Sequence, residues 1–168
     1  MIKKVFILSA ISFMLLSFCF KRNENFKTFN QLVSNNDCYK IKVLSDILKT
    51  NPNLYFDTLA LNEKVFNSTI KTGIFKKDDI INNIGLSCTN EKRVRKLKYH
   101  LLDKNKTHDG DYVIKFFSKI KVNDNYFQMI TIKKIDSQSA MKYGYTIIVR
   151  FKENHQIDYA LAQTYLID

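Results

Sequence analysis

The spacing of apolar and polar residues divides the chain into stretches of different period. Val5 to Phe20 is a run of sixteen residues without a charge, preceded by Lys3 and Lys4 and closed by Lys21 and Arg22. It has no polar face, so it does not read as a helix of a globular core; a basic start followed by a short apolar run is the pattern of an export or membrane signal, placed at residues 1–20. Residues 21–36, KRNENFKTFNQLVSNN, are polar with a few apolar positions and read as a tether, which puts a single folded domain at 37–168. Asp37 is a suitable N-cap, and Ile41, Leu44, Ile47 and Leu48 then recur at helical spacing until Asn51 and Pro52 stop the pattern. Val65, Phe66 and Ile70 predict a second helix after Asn62. Asp78 and Asp79 head a third, carrying Ile80, Ile81 and Ile84, which Gly85 would close in a left-handed conformation.

From Val94 the period changes to two. Val94 to Leu101 predicts a strand, followed by a polar turn over 103–111. Tyr112, Ile114, Phe116, Ile120 and Val122 fall on one face of the next strand, and Asn123, Asp124 and Asn125 turn it into a hairpin with 126–135. Tyr143, Tyr145, Ile147, Val149 and Phe151 alternate again, and 153–156 leads into a last strand over 158–167. Helices first and strands last predict an α+β fold: N-terminal helices packed on one face of a C-terminal antiparallel meander of four to five strands. The same order of elements is similar to the NTF2/cystatin-like cone, in which Tyr112, Phe116, Phe117, Tyr126, Phe127, Tyr143, Tyr145, Phe151, Tyr159 and Tyr165 would line an enclosed pocket. Period-two aromatics are also what a plain core with cross-strand pairs requires.

The leading segment has three readings. Leu16, Ser17, Phe18 and Cys19 resemble a bacterial lipobox with Cys19 as the lipid attachment site, although Phe18 stands where a small residue is usual. Ser17 and Cys19 also suit ordinary cleavage after Cys19. An uncleaved anchor is the third; sixteen helical residues rise about 24 Å against a hydrocarbon core of about 30 Å, so Lys and Arg would have to snorkel. Every reading directs the chain to the bacterial envelope or beyond it. Export also bears on the cysteines, because without Cys19 an even pair remains, Cys38 and Cys88, which would form a disulfide or sit as two small buried thiols.

Charge narrows the partners. The net charge is +11, and with Lys3 and Lys4 set aside 25 basic side chains face 16 acidic ones. Such a field favours a membrane surface, an acidic polysaccharide or an acidic envelope protein; export argues against nucleic acid. Lys92, Arg93, Arg95, Lys96 and Lys98 form the densest basic cluster, read either as a solvated face or as a binding patch. Tests for chemistry return little. There is no H-E-x-x-H, C-x-x-C or G-x-S-x-G, and His100, His108 and His155 are scattered. His108-Asp109-Gly110-Asp111 groups oxygen donors but lacks the further carboxylates of a calcium loop, and reads as an Asx turn. Asp78 and Asp79 suit a helix start better than an acid/base pair. No catalytic residue, metal site or cofactor is expected.

Lys71-Thr72-Gly73-Ile74, followed by Asp78, Asp79, Ile80, Ile81, Ile84 and Gly85, resembles the small envelope lipoproteins of the SmpA/OmlA (BamE-like) group, in which a glycine and an aliphatic residue enter a helix that ends in Leu-Gly-x-Pro. Ser87 stands in the place of that proline, and the likeness covers about thirty residues. It implies a two-layer helix-on-sheet domain acting as an envelope scaffold or protein-binding module, with no catalytic residues to carry over. The expectation is thus a non-enzymatic envelope lipoprotein that binds or scaffolds protein. The alternatives are an exported pocket protein for a small apolar ligand and an immunity-type inhibitor.

Overall fold

The computed structural model describes residues 23–59, 64, 66–68, 88, 97–103, 106–122, 124–136, 142–154 and 156–167. Residues 1–20 with Cys19, the helix expected over 78–85, the Gly73 phrase, and Lys92, Arg93, Arg95 and Lys96 lie outside them.

The stretch read as a tether is a helix. Residues 23–34 form α1, and Phe29, Leu32 and Val33 on it are fully buried. Phe26, Phe29 and Val33 are three and four residues apart, the spacing of one helix face, and their burial overrides the polar composition around them. The helix expected from Asp37 is split: α2 spans Asn36–Tyr39 and α3 spans Lys42–Thr50. Lys40 adopts a left-handed conformation (φ 53°), and the buried Asn36 side chain replaces the lost backbone bonds. Its Oδ1 accepts from the Ile41 N–H (2.9 Å) while its Nδ2 donates to the Ile41 carbonyl (3.1 Å) and to Ser45 Oγ (2.8 Å). α3 buries Val43, Leu44 and Ile47, and ends at Asn51, a residue type that tolerates the left-handed φ of 48° found there.

Among the described residues seven strands form one mixed, mostly antiparallel sheet: β1 Leu54–Leu59, β2 Tyr99–Leu101, β3 Tyr112–Phe117, β4 Ile120–Val122, β5 Asn125–Lys134, β6 Lys142–Phe151 and β7 Ile157–Ile167. Their order is β2-β1-β3-β5-β6-β7, with β4 paired to the β5 end that β3 leaves free. The class is therefore α+β, with more strands than the four to five expected. Two differences account for the excess: β1 follows Pro52 directly and pairs parallel with β2 and β3, and the strand expected over 112–122 breaks at Ser118 and Lys119 into β3 and β4.

Register fixes which side chains share a face. Ile130 opposes Ile147 and Ile132 opposes Tyr145, so the side chains of Ile114, Phe116, Ile130, Ile132, Ile147 and Val149 meet the helices. With Phe29, Leu32, Val33, Ile41, Leu44 and Ile47 they make one core cluster, each fully buried aliphatic contributing roughly 1.5–3 kcal/mol. The helix–sheet space is filled by these residues, so among the described residues Phe116 and Phe151 are core and do not line an enclosed cavity. The opposite face carries a smaller cluster of Phe66, Val122, Phe127, Met129 and Ile148. No helix among the described residues is long and apolar enough to cross a membrane.

Candidate functional site

Two surface features stand beside each other at one end of the sheet. The first is β7, an end strand paired with β6 and with no other strand among the described residues. Its sequence, IDYALAQTYLI, holds one charged residue, Asp158. That carboxylate is engaged: Arg150 Nε donates to its Oδ2 at 2.7 Å, and the guanidinium carbon lies 4.2 Å from the centre of the Tyr159 ring across the strand pair. From Tyr159 to Ile167 there is no charge and no proline. Natural edge strands are ordinarily blunted by lysines, prolines, bulges or brevity; β7 has a register shift at its start, near Arg150 and Phe151, and none of the other devices.

A groove of about 600 Å³ runs along this edge, bounded by Tyr39, Lys40, Ile41 and Lys42 on one side and by Ala160 to Thr164 on the other. Successive strand residues point to opposite faces, so five consecutive residues border one groove only if it follows the strand's backbone edge. The turn between α2 and α3 that forms the far wall is the one held by Asn36.

The second feature is a cleft of about 630 Å³ on the neighbouring side of α3. The polar side of α3 supplies Lys42, Asp46, Lys49 and Thr50; Tyr112 opens β3, Lys134 ends β5, and Tyr143, Tyr145 and Thr164 come from β6 and β7. Burial, then the Asp46 carboxylate and Tyr145, push the Tyr112 phenol above its ordinary range, so it stays a protonated donor. The cleft's rim is fixed by Asp111. This buried carboxylate accepts from the His108 N–H (2.9 Å) and the Asn53 N–H (3.2 Å), and Gly110 beside it takes φ 90°. Gly110 N–H donates to the Ile135 carbonyl and Ile135 N–H to the Asp111 carbonyl, which ties the turn to the end of β5. The His108 to Asp111 stretch is thus a structural turn, with its carboxylate used up by backbone donors; no group of metal-ligating side chains occurs among the described residues.

Of the residues singled out from the sequence, Cys38 and Cys88 are joined as a disulfide with Cα atoms 5.6 Å apart, which links α2 to the stretch between β1 and β2. Lys98 is exposed, just before β2. Tyr112, Tyr143 and Tyr145 come together at the cleft, whereas Phe127 and Tyr159 are buried on the other sheet face and Tyr165 covers Gly144 there. The sequence reading missed Lys42, Lys49 and Lys134. Lys42 did carry a signal, since a cation in the first turn of a helix opposes the helix dipole. No protein family, no curated protein and no solved structure matches this chain.

Proposed function

We propose that the chain is a non-enzymatic binding module of the bacterial cell envelope, held at the membrane by residues 1–20 and engaging a partner protein by strand addition along β7. The observation that carries this reading is the edge itself: eleven residues long, uncharged after Asp158, and bordered by a groove along its backbone. Strand addition uses a row of backbone donors and acceptors; β7 has no second strand beside it among the described residues, and the groove follows it, which supports this mode. The helix layer on the opposite flank of the groove serves as a rigid wall. An uncharged strip on a chain of net charge +11 is where an apolar strand would dock with least desolvation of charge. The leading apolar segment supports the envelope address, with Cys19 as the lipid attachment position, and the resemblance of 71–85 to BamE-like lipoproteins supports a scaffolding role.

The test is site-specific photo-crosslinking in living bacteria, with the reactive residue placed at Gln163 on the β7 edge or at Glu153 in the preceding hairpin turn, both exposed. A discrete adduct with one envelope protein from position 163, absent from position 153, is expected. An intact, membrane-located chain that yields no adduct at 163, or the same adducts at both positions, overturns strand addition at β7.

A further inference from the structure

We infer that the cleft between α3 and the ends of β3, β5 and β6 binds a saccharide bearing a carboxylate or phosphate group. This goes beyond strand addition at β7 and uses an adjoining cleft, which shares Lys42, Tyr145 and Thr164 with the groove.

Three lysines converge on the cleft from two walls, Lys42 and Lys49 from α3 and Lys134 from β5, against two carboxylates, Asp46 and Asp136, and all three lysines are exposed. None of them makes an ion pair among the described residues. Local structure explains Lys49, which lies in the last turn of α3 where the helix dipole favours a cation. It does not explain Lys42. The first turn of α3 has no acidic residue and no side-chain cap, so Lys42 adds positive charge to the positive end of the dipole. Lys42, set against the helix dipole beside two other cations without an ion pair among the described residues, leaves the cleft with one more cation than its carboxylates Asp46 and Asp136 balance, a surplus that a singly charged anion would complete.

The rest of the lining says what else that anion carries. Asp46 stands on the same side of α3 as Lys42 and Lys49, and it offers acceptors to hydroxyl groups. Tyr112, buried and protonated where it lines the cleft, offers a donor. Tyr143 is 49% exposed, one of two exposed large hydrophobic residues among the described ones, and lines the cleft. Charged groups of both signs, a phenol and an exposed ring match a pyranose: hydroxyls for the carboxylate and phenol, an apolar ring face for Tyr143, and the anionic substituent for the lysines. A volume of about 630 Å³ lies within the range of small-ligand clefts and suits one or two sugar units.

The test is calorimetric titration of the full chain, purified in a zwitterionic detergent, with glucuronate, glucose 6-phosphate, glucose and inorganic phosphate. Saturable binding of glucuronate or glucose 6-phosphate is expected, with glucose and phosphate each about tenfold weaker, because each lacks one half of the recognition. Lys42→Gln, Lys134→Gln and Tyr143→Ala should each weaken it by about tenfold, Lys134→Arg should restore it, and Lys98→Gln should leave it unchanged. These positions are exposed, so melting curves of the variants should overlay the parent. A trisaccharide of galacturonate binding more tightly than the monomer identifies a polymer as the source; equal binding identifies a free acidic sugar. No saturable binding, binding equal to that of phosphate or of glucose alone, or folded variants with unchanged affinity overturns the inference.

Discussion

The two edges of the sheet are treated in opposite ways. β2 is three residues long, and its Tyr99 is held from above: Phe26 of α1 stacks on the ring (4.1 Å between centroids, 10° between planes), and the phenol donates to Asn30 Oδ1 at 2.8 Å. The same asparagine oxygen accepts from the Leu97 N–H, so α1 fixes both the strand and its approach. On the β1 side His100 lies against Tyr55, whose hydroxyl donates to the Lys106 carbonyl. β7 is eleven residues long, and the helix layer stands off from it across a groove. Brevity and packing close one edge; length and neutrality leave the other available. An edge built for stability should respond to substitution through unfolding, and an edge kept for contact should respond through binding.

The largest expected effect concerns the bridge that joins the neighbourhoods of both edges. Cys38 lies in α2, beside β7, and Cys88 in the stretch leading to β2, 50 residues away. By loop-closure entropy, opening a loop of that length costs about 4 kcal/mol. Cys38→Ser with Cys88→Ser should lower the stability of the chain by that order in urea unfolding, and reductant should lower the parent equally while leaving the double variant unchanged. Next in size is a direct contrast of the edges. Tyr99→Ala removes a stacked ring and one of the two donors to Asn30 Oδ1, with an expected loss of about 3 kcal/mol. Gln163→Ala on β7 should change stability by less than about 0.5 kcal/mol. Equal losses at both positions would erase the distinction.

How much of this was legible in the sequence differs between the edges for a physical reason. β6 carries apolar residues at every second position from Tyr143 to Phe151, and a polar turn joins it to β7 in a local hairpin, so their positions follow from a period of two and that turn. The β2 edge depends on contacts distant in the chain: Phe26 and Asn30 reach Tyr99 across about seventy residues, and β1 pairs parallel with strands that are not its sequence neighbours. Leu54-Tyr55-Phe56 is a short run after a proline, and periodicity alone does not tell such a run from a loop. α1 did carry a readable signal in Phe26, Phe29 and Val33, masked by the asparagines and lysines between them. For the cleft, the tyrosines were visible as alternating aromatics, but their meeting with Lys42 and Lys134 depends on how α3 lies over the sheet, which no local pattern encodes.

A smaller effect tests how β7 is kept in register. Gly144 pairs with Tyr165 across β6 and β7, and the Tyr165 ring lies where a Cβ at position 144 would be. The glycine leaves room for the ring to cover the strand, and burial raises the Tyr165 phenol pKa. Gly144→Ala should therefore displace the ring and cost about 2 kcal/mol, read by urea unfolding, and near-ultraviolet dichroism should change with it. An unperturbed variant would mean that β7 keeps its register through backbone pairing alone, as a strand open to exchange with a partner would.

The smallest effect sharpens the other side of the comparison by pH. Burial pushes the Tyr99 phenol far above its ordinary value of 10.0, so the folded chain holds that proton more tightly than the unfolded chain does. The resulting stabilisation is complete below pH about 10 and is lost as the pH rises further, because only the unfolded state then gives up the proton, at a slope of up to about 1.4 kcal/mol per pH unit for one phenol. Burial raises Tyr165 and Tyr112 in the same direction, and for Tyr112 the Asp46 carboxylate adds to it. Tyr99→Phe keeps the stack on Phe26 and loses the bond to Asn30, so it should start about 1 kcal/mol below the parent at neutral pH and fall less steeply above pH about 10, and the two unfolding curves should converge. Tyr165→Phe should flatten the alkaline slope by less. Parallel decline of parent and Tyr99→Phe would mean that the β2 edge opens before it ionises, and that it is as loosely held as β7.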